Sequence, residues 1–166
     1  MEHPTIAESI KAMGDNSTIH WDIQPHHFKT TRPIGAAEKR MLYMHKLNPT
    51  STDYHEHASF RFNGNTDAFI AALNDWFSKT SIDVCYSNDE AVKINSFQLE
   101  INNHPDLMKP FNLTTGPAAY FYHAPQSNTF HFCFHHISSD EESFNVMFRH
   151  IMALYHGTDI PKENLS

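Results

Sequence analysis

Apolar residues recur along this chain with two different periods, and the last third switches from one to the other. Phe130, Phe132 and Phe134 alternate with His131, Cys133 and His135, the period of a strand that shows its phenylalanines on one face. After Asp140, the residues Phe144, Met147, Phe148, Ile151, Met152 and Tyr155 fall at helical spacing and form a wide apolar stripe. The pattern predicts a strand over Thr129–Ile137 and a helix behind it. Ser139 or Asp140 suits the cap, Glu141 and Glu142 place negative charge in the first turn, and Gly157 suits the stop.

Upstream, Ala58, Phe60 and Phe62 alternate with Ser59 and Arg61, so Tyr54–Asn63 reads as a half-buried strand. Gly35–Leu47 reads as a helix. A second helix over Asp67–Lys79 carries Phe69, Leu73, Trp76 and Phe77 and is capped by Asn65 or Thr66. Further strands are expected near Asp83–Tyr86, Val92–Glu100 and Ala118–Tyr122, with a turn at Pro125–Asn128, while Asn16–Thr31 reads as loop or irregular strand. Thr5-Ile6-Ala7-Glu8 is a capping-box pattern opening a short helix that Gly14 closes. Strands interleaved irregularly with helices imply an α/β (α+β) two-layer sandwich, its mixed, largely antiparallel sheet covered by helices. Residues 1–30 form a leading helix and lead-in, either a docking element or a helix folded onto its own lobe, and residues 31–166 form the main domain.

Composition adds bounds. A chain of 166 residues, 40% hydrophobic and 13% aromatic, suffices for one domain with a Phe-rich core. Its net charge of −7 argues against a nucleic-acid partner, which would demand a local excess of Lys and Arg. No stretch reaches transmembrane length and the N-terminus lacks a signal-peptide pattern, so no membrane partner and a cytoplasmic location are expected. Cys85 and Cys133 sit in predicted strands and read as free, buried thiols.

Fourteen histidines raise the question of a metal. His131 and His135 would lie about 13 Å apart on a strand, too far to share an ion. His55 and His57 share a strand face and could do so, but no third ligand has a telling spacing, and no metal is expected. Cys133 shares the face of His135 and not of His136, which removes a simple Cys–His nucleophile pair. Of the adjacent histidines, His136 stays on the phenylalanine face while His135 turns to the other, so only one of them can work at a given site.

The segment His135-His136-Ile137-Ser138-Ser139-Asp140 resembles the HHxxxDG signature of nonribosomal peptide synthetase condensation domains, within the chloramphenicol acetyltransferase-like superfamily. Pro110-Phe111-Asn112-Leu113-Thr114-Thr115-Gly116-Pro117 is similar to the segment that leads into that signature. Gly35-Ala36-Ala37-Glu38-Lys39-Arg40-Met41-Leu42-Tyr43-Met44 is similar to the family's first motif, with Ala37, Arg40 and Met41 matching and Gly35 and Glu38 replacing Ser and Gln. The family's second motif aligns best with Ser78–Tyr86, where both of its arginines are missing and Asp83 replaces one. Glu141 stands where the signature has glycine.

The resemblance implies the N-terminal lobe of a condensation domain, in which a carrier-bound thioester is converted to an amide. His136 is then the candidate base, His135 a structural neighbour in the catalytic motif, and Asp140 a brace for the loop, with Arg40, Arg32 or Arg61 as its partner. Arg40 belongs to the structural motif, and Phe134, Ile137, Ser138 and Ser139 are the expected substrate lining. No cofactor is expected beyond the phosphopantetheine arm of a carrier protein. Because a whole domain has two lobes around its tunnel, three readings follow: a half-domain completed by a second lobe or by a homo-oligomer, a non-catalytic scaffold that binds carrier protein or synthetase, and an excised lobe of a longer synthetase.

Overall fold

Seven strands and three helices are built from the described residues, which are 30–80, 82–87, 89–94 and 98–160 of this computed structural model. Their order is β1 (Thr31–Pro33), α1 (Ala36–Leu47), β2 (His55–Arg61), α2 (Thr66–Lys79), β3 (Val84–Ser87), β4 (Glu90–Lys93), β5 (Leu99–Ile101), β6 (Ala119–Ala124), β7 (Thr129–His135) and α3 (Glu141–Tyr155). The short helix read at Thr5–Gly14, nearly all of Asn16–Thr31, and the docking element proposed for residues 1–30 lie outside the described residues.

The main sheet has the order β2-β7-β6-β5, antiparallel except for the parallel pair β5 and β6. Its register follows the alternation in the sequence. Ala58 lies opposite Phe132 and Phe60 opposite Phe130, so the apolar rows of β2 and β7 meet on one face. Both long helices pack there. Phe69, Leu73, Trp76 and Phe77 of α2 and Met147 and Ile151 of α3 close over the phenylalanines of β6 and β7. The rings meet largely edge to face, as Phe60 and Phe132 do with centroids 5.4 Å apart and planes at 88°, an arrangement that ring quadrupoles favour. This is the expected two-layer sandwich.

The opposite face of the sheet has its own cover. Tyr122 and Cys133 pack with Leu42 of α1 and with Val84, Tyr86 and Ala91 of a separate three-stranded sheet ordered β1-β4-β3. The sheet expected from the sequence is thus divided in two, and the single strand expected over Val92–Glu100 is corrected to β4 and β5, which belong to different sheets. A tight hairpin, with Asp89 at φ 66°, folds β4 back onto β3, whereas β5 continues to the edge of the main sheet beside β6. Pro33 sits in β1, an edge strand, where its missing N–H is tolerated.

Candidate functional site

β7 ends at His135, and a short turn carries the chain into α3. Neighbouring strands pin that turn. The His135 N–H donates to the Ala118 carbonyl at 2.9 Å and the His136 N–H to the Tyr54 carbonyl at 2.8 Å. The Ser138 N–H donates back to the His135 carbonyl at 2.9 Å, and its hydroxyl donates to the same oxygen at 3.0 Å. Asp140 then opens α3 as its cap, accepting from the Ser143 N–H at 2.8 Å and from the Ser143 hydroxyl at 2.5 Å. Those two hydrogen bonds hold the Asp140 carboxyl below the usual carboxylate range.

The two histidines diverge as strand alternation requires. His135 is 1% exposed, and its Nδ1 accepts the Ile137 N–H at 3.1 Å, which leaves its own proton on Nε2. Its ring meets His45 at 5.3 Å and lies 6.2 Å from His55 and 5.9 Å from Phe111. Burial pushes the His135 ring down to about 4, and the nearby His45, His55 and His136 add to that. It is a neutral interior group. His136, by contrast, keeps 44% of its side chain exposed, and its Nδ1 lies 2.9 Å from Glu56 Oε1.

A cleft of 450 Å³ opens beside His136. Arg40 and Met41 of α1 form one wall, and Ile137, Ser138, Ser139 and Asp140 of the turn form the other. The fold therefore brings together six of the residues singled out in the sequence: Arg40, His136, Ile137, Ser138, Ser139 and Asp140. It places His135 and Phe134 elsewhere. Phe134, 2% exposed, is a core ring against Phe144, and it borders a second hollow of 240 Å³ behind the cleft. That hollow is also lined by Trp76 and Ser139, whose indole nitrogen and hydroxyl have no hydrogen-bond partner among the described residues.

Several expectations change with the geometry. Arg32, one of the arginines considered for Asp140, instead forms a two-pronged pair with Glu38, one prong at 2.8 Å. Glu38 also accepts the Gly35 N–H at 2.8 Å and so anchors the start of α1. Glu141 occupies the first turn of α3 and borders a small hollow with Glu56 and Phe144, not the His136 cleft. His55, half of the pair considered for a metal, stacks edge-on against Phe111 at 4.7 Å. Among the described residues no group of three or more metal-ligating side chains is arranged to hold an ion.

Glu56 and His45 are the residues that the sequence reading missed. Glu56 lies in β2 opposite Phe134, so it reaches the face of His136 only through the β2–β7 register. The run His55-Glu56-His57 was the available signal, since a carboxylate on the apolar face of a strand interrupts its alternation. His45 gave no signal beyond its helical position.

Comparison with known proteins agrees with this architecture. No family model matches the chain. Tyrocidine synthase 3 of Brevibacillus parabrevis is 24% identical over 181 aligned positions, covering 96% of this chain and 3% of that protein. An arginine-to-alanine variant of the starter condensation domain of rhizomide synthetase RzmA superposes with a TM-score of 0.63 at 16% identity, covering 83% of this chain and 42% of that one. A double variant of the same domain, solved in complex with C8-CoA and Leu-SNAC, gives a TM-score of 0.63 at 17% identity over 82% of this chain and 39% of that one. The chain thus spans about two fifths of those condensation-domain structures. Those superpositions give the described residues the fold of one part of a nonribosomal peptide synthetase condensation domain.

Proposed function

We propose that this lobe takes part in condensation-type acyl transfer, with His136 as the base that serves an amine attacking a carrier-bound thioester. One observation carries the reading. His136 stands at the mouth of a 450 Å³ cleft, its backbone pinned to β2 and its Nδ1 engaged by Glu56, which leaves Nε2 as the nitrogen open to a ligand. In the reaction the amine nitrogen bonds to the thioester carbon and yields a proton to the imidazole. The carbon–sulfur bond then breaks, and the thiolate leaves with that proton. Arg40 on the opposite wall would meet the charged parts of a phosphopantetheine arm, and the hollow behind Ser139, bordered by Trp76, Phe134, Phe144 and Met147, would take an acyl group. Donor and acceptor would arrive on carrier proteins, so no bound cofactor is required of the lobe.

With the cleft open on one side, a second lobe must close it, supplied by another chain or by a second copy. Closing excludes water, which otherwise competes with the amine for the thioester. A second reading, a carrier-binding scaffold without chemistry, is favoured by one specific observation: Asp140 is committed to capping α3 and its carboxylate is bonded to Ser143.

The deciding experiment compares wild type and His136→Ala in amide formation from a carrier-bound acyl donor, with and without a separately expressed condensation-domain second lobe, after the oligomeric state is measured by light scattering. The proposal expects transfer that depends on His136 and on a closing partner. Carrier binding with no transfer in any combination would establish the scaffold reading instead.

A further inference from the structure

We infer that Glu56 is a positioning residue that fixes the tautomer of His136, holding the proton on Nδ1 and leaving the Nε2 lone pair for the cleft. As an aid to acyl transfer the inference rests on the reading proposed above. As a statement about the imidazole it stands on geometry alone.

A neutral imidazole in water prefers no single nitrogen strongly, and a base needs the lone pair on the nitrogen that meets its substrate. The 2.9 Å contact between His136 Nδ1 and Glu56 Oε1 decides the matter locally, because a carboxylate accepts and cannot donate. The carboxylate itself is well placed by the main sheet. Glu56 lies opposite Phe134, His55 opposite His135, and the His136 N–H donates to the Tyr54 carbonyl, so β2 and the turn move as one piece. The other groups near the ring make no such contact with it. Asp140 turns its Oδ1 to Ser143, His135 lies buried against His45 and Phe111, and Arg40 is a cation that cannot accept a proton from Nδ1.

Glu56 interrupts the apolar row that Ala58 and Phe60 form on that face of β2, at the partly exposed end of an edge strand where a carboxylate is tolerated and can turn to His136. Both partners are about two-fifths exposed in the open lobe, with side-chain exposures of 44% and 37%, where an ion pair alone adds little to stability. Closure of the cleft by a second lobe lowers the local dielectric and strengthens the contact, so the orienting effect is greatest in the assembled state.

The test is nitrogen-15 NMR of the histidine side chains in the full chain, with the His136 signal assigned by its loss in His136→Gln. At a pH where the ring is neutral, wild type is expected to show Nδ1 protonated and Nε2 bare. Glu56→Ala should shift the ratio toward the Nε2-protonated form by about fivefold, the scale of a single exposed charge-assisted contact. Glu56→Gln, which keeps an acceptor at the same reach, should retain part of the bias. A wild-type spectrum indistinguishable from Glu56→Ala overturns the inference. Where transfer activity is measurable, Glu56→Ala should lower kcat while leaving KM for the acyl donor unchanged. An intact tautomer bias with no transfer in any combination with a closing second lobe would sustain Glu56 in this role and refute the acyl-transfer reading, so the two failures are distinguishable.

Discussion

The ring of His135 meets the ring of His45 edge-on, with 5.3 Å between centroids and the planes at 85°. One comes from the last residue of β7 and the other from the last turn of α1, so this contact joins α1 to the sheet directly behind the cleft. His55 of β2 completes the cluster at 6.2 Å from His135. Burial pushes all three rings down from their ordinary value, His135 to about 4.

A consequence for pH follows from the direction of those shifts. An imidazole with pKa near 6.5 when unfolded and about 4 when folded binds more protons in the unfolded chain between those values. Stability is therefore complete above pH 6.5 and falls as the pH drops toward 4. His135 alone accounts for a loss of up to about 3 kcal/mol. Urea titrations at pH 7.5, 6.0 and about 4.5 check this, and His135→Gln should flatten the dependence. A midpoint independent of pH in wild type would mean that the cluster is not neutral and buried.

Removing the His136 imidazole should affect chemistry and not folding, because much of the side chain is exposed. His136→Ala is expected to lower transfer by about 10²–10⁴-fold, the range for loss of a positioned base. The unfolding free energy from urea titration should stay within about 0.5 kcal/mol of wild type. Parallel kinetics and denaturation on one preparation separate the two effects.

Asp140 caps α3, and its substitutions should report on that duty. Asp140→Ala removes the acceptor for the Ser143 N–H and should destabilise the fold by about 1 kcal/mol. Asp140→Asn keeps an equally good cap and should cost only a few tenths of that. If transfer survives in Asp140→Asn, the carboxylate braces the turn and its charge takes no part in the reaction.

Cys133 is 2% exposed, and burial pushes its thiol up to about 11. At pH 8 only about one thiol in a thousand is then ionised. Iodoacetamide should leave Cys133 unmodified in the native protein and label it fully in urea, as read by peptide mass spectrometry. Rapid native labelling would revive the nucleophilic cysteine that strand geometry argues against.

Much of the site was legible along the chain because it depends on local periods. Alternation over Phe130–His135 placed His135 and His136 on opposite faces, and the structure has one ring in the interior and the other at the cleft. Helical spacing after Asp140 located α3 and its cap, and Gly157 closes it with φ 67° as the stop. Arg32 was harder to read, since the sequence offers it several carboxylates and only the approach of β1 to α1 selects Glu38.

By itself the sequence determined the strand–turn–helix unit, the opposite facing of the two adjacent histidines and the apolar layers of the sandwich, all set by side-chain direction within one element. The tertiary structure decided what surrounds them: Glu56 against His136, His45 against His135, and the division of Val92–Glu100 between two sheets. Those pairings join residues far apart in the chain, and a slip of one residue in β2 would turn Glu56 to the other face. Register of that kind is selected by the packing of whole layers, which no single segment encodes.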